Sequence, residues 1–116
     1  MADRVDFSSF RGVAVIHVAG DLDLPRADAF RATRDGALAL RQALVVDLSD
    51  CTFIDSTGIA MVLRSFQLAQ DRDRPFALVG SAPQVRNVLE LVGIPEMVPC
   101  HSDLDAAIED VLGQEV

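Results

Sequence analysis

The side chains of this sequence with the clearest chemical potential stand together in the segment Asp55-Ser56-Thr57-Gly58. This segment follows the nearly continuous apolar run Ala43–Leu48, which is typical of a strand buried on both faces. From Ile59 onward the apolar residues recur at helical spacing instead. A hydroxyl between a strand and a helix can accept hydrogen bonds from the free amides of the first helical turn. We therefore predict that Ser56 is the helix N-cap and treat this turn as the candidate site.

A hydrolase built on Ser56 is not supported by its surroundings in the sequence. A nucleophile elbow needs glycine two residues before the serine, and Ile54 occupies that position. Neither His17 nor His101 has a sequence context that would make it the base for Ser56, and His17 is interpreted as a residue on the face of a sheet. The sequence contains no phosphate-binding glycine loop and no metal-ligand cluster. We predict no enzymatic activity, no cofactor and no metal site.

The segment Asp21-Leu-Asp23-Leu-Pro25 is superficially similar to the nucleophile loop of haloacid-dehalogenase phosphatases. Those enzymes need threonine or valine where this chain has Pro25, and they also need a lysine, of which this sequence has none. A phosphoaspartate receiver would require a lysine as well. Both classes are therefore excluded. Pro25 instead suits the first turn of a helix, with Asp23 or the residue after it as the cap.

Composition limits the class of protein and of partner. The 116 residues are half hydrophobic, which predicts one globular domain spanning residues 1–116. The net charge of −8 argues against binding to nucleic acid or to an anionic membrane, because both partners select basic surfaces. No run is long enough to span a membrane, and the N-terminus has no signal-peptide core. With only Cys51 and Cys100 as thiols, the sequence predicts a cytoplasmic protein.

Hydrophobic patterning predicts an α/β domain with the element order β-β-α-β-α-β-α-β-α. Strands alternating with helices favour a mixed, mainly parallel sheet, here with four helices. The last two helices are predicted to be capped by Ser81, which has Gln84 at the capping-box position, and by Ser102. The five predicted strands are 5–10, 13–19, 43–48, 76–80 and 97–98.

The helix after the candidate site has two faces with different predicted roles. Its spacing directs one apolar set inward, namely Ile59, Val62, Leu63 and Phe66. Met61 and Leu68 are then expected on the opposite side, with Arg64 beside them. Exposed apolar residues close to a functional turn are typical of a docking surface. We predict that these three residues contribute to partner binding.

Three segments together resemble a known family. Gly20-Asp-Leu-Asp23, Asp47-Leu-Ser49 and Phe53-Ile-Asp55-Ser56-Thr57-Gly58-Ile59 resemble the STAS domain, and more narrowly the stand-alone bacterial anti-sigma factor antagonists. The resemblance extends over nearly the whole chain. It implies a binding protein whose partner is an anti-sigma factor serine kinase with an ATP site like that of histidine kinases. The unphosphorylated antagonist binds this kinase and so frees the sigma factor, and a serine phosphatase resets the phosphorylated form.

The resemblance also implies roles for individual residues. Ser56 is the implied phosphoacceptor, and Asp23 and Asp55 are the implied flanking residues that help to dock the partner. Gly58 completes the motif. Thr57 stands where serine is often found, which makes it a secondary acceptor candidate, and Asp21 stands where glutamate is commoner. The segment 92–100 is less typical than the core motif.

Two other functions remain open at this point. The first is a constitutive STAS scaffold in a larger signalling assembly, in which Ser56 would be only a helix cap. The second is a redox-controlled binder that uses Cys51 and Cys100, since both follow strands that could end at the same edge of the sheet. A disulfide would require their Cα atoms to lie within about 7 Å.

Overall fold

The computed structural model describes residues 3–114, so residues 1–2 and 115–116 of the predicted domain lie outside the described residues. The described part forms the mixed α/β fold predicted from the sequence. Its strands are β1 (Arg4–Phe10), β2 (Val13–Leu22), β3 (Ala43–Ile54), β4 (Phe76–Val79) and β5 (Cys100–His101). Its helices are α1 (Ala27–Leu38), α2 (Ser56–Asp71), α3 (Pro83–Leu91), α4 (Ile94–Met97) and α5 (Leu104–Gln114), and a 3-10 turn covers Leu24–Arg26. No helix within residues 3–114 is long and apolar enough to cross a membrane.

The strands form one sheet in the order β1-β2-β3-β4-β5. β1 is antiparallel to β2, and the remaining neighbours are parallel. β2 and β3 are longer than predicted, and their pairing runs from Val13 opposite Ala43 to Leu22 opposite Ile54. Two register shifts interrupt this ladder, and Gly20 beside them has a φ of +89°. The carboxyl ends of the two longest strands therefore lie side by side, and this edge carries the candidate site.

Helices cover both faces of the sheet because the buried strands are apolar at consecutive positions. In β3, Leu44 and Val46 pack in the cluster that contains residues of α1, α2 and α3. Ala43 and Val45 point the other way and pack with α5 through Ala107, Ile108 and Val111. A strand buried on both faces cannot alternate apolar and polar residues, which explains the continuous apolar run of β3.

The C-terminal third differs from the prediction between residues 94 and 101. Residues 94–97 form α4, so the predicted strand at 97–98 is wrong, and pairing with β4 begins only at Cys100. Gly93, with a φ of +81°, permits the sharp turn between α3 and α4, which buries Ile94. Met97 thus belongs to α4, a short helix that was not predicted and that precedes the last predicted helix, α5.

The predicted serine caps of α3 and α5 are also wrong. The N-cap of α3 is Ala82, which makes no side-chain cap bond. Pro83 is the first helical residue of α3 and has no backbone N–H, so one of the donors that a capping side chain would satisfy is absent. In α5 the capping bond comes from Asp103, whose Oδ1 accepts from the Ala106 amide at 2.8 Å.

Gly58 fixes the distance between the start of α2 and the end of β2. A Cβ at this position would lie 2.6 Å from Ile54 Cγ1 and closer still to the Leu22 carbonyl oxygen. Real Cβ atoms do not approach other atoms so closely, so the backbone would have to shift. Gly58 is therefore required because there is no room for a side chain. Its backbone conformation does not require glycine, because it is that of an ordinary helix.

We expect Gly58→Ala to destabilise the fold by about 1–3 kcal/mol, because the added methyl group overpacks a contact with backbone. Gly113→Ala is the matched control, since nothing lies within 4 Å of a Cβ there, although Gly113 is also helical. Alanine is the better helix former, so the control should be unchanged or slightly more stable. Urea unfolding measures both variants, and equal stability of the two would contradict the close approach.

Candidate functional site at the start of helix α2

Asp55, and not Ser56, is the N-cap of α2. Its backbone is extended (φ −112°, ψ −171°), and its Oδ1 accepts from the Gly58 amide at 3.0 Å. A carboxylate at this position is also stabilised by the helix dipole. Ser56 is the first helical residue and is exposed, and within residues 3–114 no hydrogen bond occupies its hydroxyl. The predicted serine cap is wrong, and the hydroxyl is free to react while the helix keeps its cap.

Asp23 lies beside this turn because it follows Leu22 directly, as Asp55 follows Ile54. It stands at the N-cap position of the 3-10 turn, with Pro25 in the first turn as predicted, but its side chain makes no capping bond. Its Oδ1 is buried and has no hydrogen-bond partner in the part of the chain that is described. A buried acceptor without a donor is costly.

A shallow cavity of about 500 Å³ opens where α1 meets the first half of α2. It is lined by Leu24, Arg31, Arg34, Ser56, Thr57, Ala60, Met61 and Arg64. We call this cavity the arginine groove, after its residues Arg31, Arg34 and Arg64. Thr57 is half-buried within it, whereas Ser56 is exposed at its border.

Sequence analysis did not identify Arg31 and Arg34 as site residues. Their spacing of three on α1 places them on one side of that helix, but it does not show which helix faces them. The side chain of Arg34 is only 11% exposed. The burial of Arg34 and the approach of α1 to Ser56 both depend on tertiary packing, which local sequence patterns do not encode.

The predicted orientation of α2 is wrong at Met61 and Leu68. Met61 is 3% exposed and belongs to the core, and Leu68 is half-buried and packs against it. Arg64 is exposed as predicted. Of the residues predicted to face inward, Val62 is fully buried, while the others are only half-buried against the core, namely Ile59, Leu63 and Phe66.

The rotation of α2 has a simple physical cause. Apolar residues surround most of this helix, so hydrophobic periodicity predicts the helix but defines its orientation poorly. The fully buried Ser65 donates its hydroxyl to the Met61 carbonyl at 2.8 Å. A polar side chain whose hydrogen bond is made within its own helix can be buried at little cost. Met61 lies four residues before Ser65 on the same face of α2, so it is buried as well.

The cysteines are too far apart to form a disulfide with each other. Cys51 lies on β3 and Cys100 on β5, and β4 separates the two strands. Two strand spacings amount to roughly 9–10 Å, beyond the reach of a disulfide. Burial raises the pKa of Cys51 and raises that of Cys100 to about 11, so both thiols are protonated at neutral pH. The redox alternative therefore lacks the proximity of Cys51 and Cys100 that it required.

His17 lies on the face of the sheet, as the sequence analysis interpreted it. It is half-buried, with Nδ1 3.3 Å from Asp47 Oδ2 and Nε2 3.0 Å from Asp50 Oδ2. Asp47 also accepts from the Ser49 amide at 2.9 Å, and this local bond lies in β3 where its pairing with β2 shifts register. Residues 3–114 contain no group of three or more histidine, cysteine or acidic side chains placed to hold a metal ion.

The capping role of Asp55 can be separated from its charge. Asparagine caps helices as well as aspartate does, so Asp55→Asn should retain most of the stability. Asp55→Ala removes the bond to the Gly58 amide and should cost about 1 kcal/mol. Ser56→Ala, which removes no cap, should leave the free energy of unfolding nearly unchanged. Chemical denaturation tests all three, and a larger loss for Ser56→Ala than for Asp55→Ala would contradict the assignment.

Comparisons with known proteins agree with this geometry. A family model described as "Mlab, STAS domain" matches residues 5–99. An anti-sigma F factor antagonist of Paenibacillus polymyxa is 26% identical over 102 residues, which cover 86% of this chain and 87% of that protein.

Solved structures show the same fold. The crystal structure of an anti-sigma factor antagonist from Mycobacterium paratuberculosis has a TM-score of 0.88 at 26% identity, covering 96% of this chain and 95% of that one. The Bacillus cell fate determinant SpoIIAA in its phosphorylated form has a TM-score of 0.67 at 21% identity, covering 95% of this chain and 99% of that one. The family match spans most of the sequence and includes the turn that carries Ser56. The chain belongs to the STAS domain family.

Proposed function

We propose that this STAS domain is a cytoplasmic anti-sigma factor antagonist controlled by phosphorylation of Ser56. The unphosphorylated form binds an anti-sigma factor that is itself a serine kinase, and this binding releases the sigma factor. Phosphorylation by that kinase ends the interaction, and a serine phosphatase restores it. The relatives named as anti-sigma factor antagonists support the general role.

The observation that carries the proposal is the free hydroxyl of Ser56. Asp55 supplies the cap, so modification of Ser56 removes no bond that holds the helix. The serine is exposed at the border of a cavity, where a second protein can reach it. A residue needed only for capping would have its oxygen engaged with a backbone amide, and this oxygen is not.

The chemistry required of this chain is modest. Ser56 Oγ attacks the γ-phosphorus of ATP held by the kinase, the bond from that phosphorus to the β–γ bridging oxygen breaks, and ADP leaves. The hydroxyl proton passes to a base that the kinase supplies. Catalysis of this step rests mainly on positioning. The rigid cap at Asp55 and the close contact at Gly58 hold the acceptor oxygen in a defined place.

The modified protein should keep its fold and lose its partner. Backbone amides and the helix dipole at the start of α2 tolerate an anion. The phosphate nevertheless adds about two negative charges close to Asp55 and Asp23. A partner surface shaped for a neutral hydroxyl beside these carboxylates then meets a bulky dianion. Phosphorylation therefore changes binding more than stability.

The scaffold alternative loses its explanation for Ser56. It assigned this serine to capping, and Asp55 performs that role. An intramolecular disulfide switch is excluded by the separation of β3 from β5. Phosphorylation-controlled binding is the function that the geometry of the turn favours.

Phosphorylation of purified protein by the anti-sigma factor kinase of the same organism tests this proposal. With ATP present, mass spectrometry should find one phosphate on Ser56. Ser56→Ala should abolish incorporation, because it removes the acceptor oxygen while retaining the cap. Thr57→Ala is the matched control. It should still be phosphorylated, because it retains the exposed Ser56 and loses only the half-buried Thr57.

Two outcomes would contradict the assignment. Undiminished incorporation in folded Ser56→Ala would move the acceptor elsewhere, and loss of incorporation only in Thr57→Ala would make Thr57 the acceptor. Circular dichroism of each variant establishes that the variants are folded.

A further inference from the structure

The arginine groove is a concentration of positive charge in an acidic protein. The chain has 18 acidic residues against 10 arginines, for a net charge of −8. Three of those arginines nevertheless line one cavity together with Ser56, and no carboxylate lines it. Such an arrangement brings like charges together, which costs energy unless an anion is bound.

The three guanidinium groups use only part of their donor capacity. Arg31 Nη1 lies 3.5 Å from Asp28 Oδ1, and Arg34 donates to Asp35 Oδ1 from Nε at 3.2 Å and from Nη2 at 3.1 Å. Arg64 has no carboxylate partner in the described structure, and its Nη1 lies 3.4 Å from Gln67 Oε1. A guanidinium carries five N–H donors, so each of the three retains donors for another acceptor.

The position of Ser56 suits an anion held in this groove. Ser56, Ala60 and Arg64 follow each other at spacings of four residues, so they form one exposed row along α2. Ala60 has only a methyl group and leaves the space between the other two open. Arg64 lies two helical turns, roughly 12 Å, beyond Ser56, and its long side chain lines the same cavity. Arg31 and Arg34 approach from α1 on the other side.

We propose that the arginine groove is the binding site for the phosphate carried by phosphorylated Ser56. The biological relevance of this site rests on the proposed function, because it supposes that Ser56 is phosphorylated. Guanidinium groups bind phosphate oxygens through paired N–H donors, and three of them can neutralise a dianion. The phosphate is then drawn toward α1 and away from the carboxylates of Asp55 and Asp23. Phosphorylation thus removes both the free hydroxyl and the positive charge of the groove.

The second pKa of the phosphate reports which neighbours it has. The carboxylates close to it, on Asp23, Asp55 and Asp28, would raise that pKa by repelling the dianion. Contact with Arg31, Arg34 and Arg64 would lower it. The helix dipole and the backbone amides at the start of α2 would also lower this pKa, so the part of the shift that is lost when the arginines are substituted distinguishes a phosphate in the groove from one held only at the helix end.

The experiment installs phosphoserine at position 56 by genetic-code expansion and follows its phosphorus NMR signal between pH 4 and pH 8. We expect a midpoint about one unit below that of phosphoserine in a short peptide, which titrates near 6. The double variant Arg31→Gln with Arg64→Gln should move the midpoint upward by most of that shift. Arg86→Gln is the matched control, because this exposed arginine lies on α3 and pairs with Glu90.

A midpoint that the double variant leaves unchanged, whether it lies above or below the peptide value, would overturn the proposal. Arg31 and Arg64 are exposed, so these substitutions should not unfold the protein, and Arg34 is left intact because its side chain is largely buried. Raising the salt concentration to 1 M should reduce the lowering of the phosphate pKa, because the screening length falls to about 3 Å and the attraction of the arginines is weakened. The phosphate is installed without a kinase, so failure of a kinase to modify Ser56 would count against the proposed function alone.

Discussion

The close contact between the end of β2 and the start of α2 is the constraint on which the site depends. Gly58 leaves no room for a side chain against the Leu22 carbonyl, and the Asp55 amide points at the same oxygen from 3.5 Å. This contact places Asp23, at the end of one strand, beside the turn that follows the neighbouring strand. The long parallel pairing of β2 with β3 fixes the two ends relative to each other. A reactive hydroxyl is thus held on a rigid corner of the sheet without contributing to its stability.

Because Asp55 and not Ser56 is the cap, the proposed phosphorylation of Ser56 would act as a switch without loss of the cap. If Ser56 were the cap, its modification would disturb the start of α2 and couple signalling to folding. With Asp55 as the cap, a phosphate changes charge and size at the surface while the helix stays in place. The charge distribution around the turn is mixed, with Asp55 and Asp23 on one side and the arginine groove on the other. Recognition of the two forms can therefore depend on local electrostatics and not on refolding.

The elements that could be predicted from the sequence are those whose signal is local and strong. The apolar run at the start of β3 and the polar turn after it identified the strand, the helix and the site between them. The extension of β2 and β3 to Leu22 and Ile54 was missed, because polar residues such as Asp21 and Thr52, which are hydrogen-bonded to each other at 3.0 Å, interrupt the apolar run although Leu22 and Ile54 still belong to the core. Asp55 was passed over as a cap because serine and aspartate are equivalent capping residues, and local sequence does not decide between neighbours.

The remaining differences arise from tertiary packing. The orientation of α2 was wrong because its apolar residues do not define a single stripe, and the buried Ser65 satisfies its hydroxyl within the helix. The contribution of Arg31 and Arg34 to the site depends on how α1 packs against α2. Helical periodicity describes one helix at a time, so a site shared by two helices is visible only in the folded structure.

The account can be tested most directly by calorimetric titration of the anti-sigma factor kinase with two forms of this protein. One form carries an unmodified Ser56, and the other carries phosphoserine installed at that position. The account predicts that the unmodified form binds and that the phosphorylated form binds at least tenfold more weakly, a loss of about 1.4 kcal/mol or more. Thermal unfolding of the two forms should differ little. Equal affinity of both forms for the kinase would contradict the central claim that the charge on Ser56 controls binding.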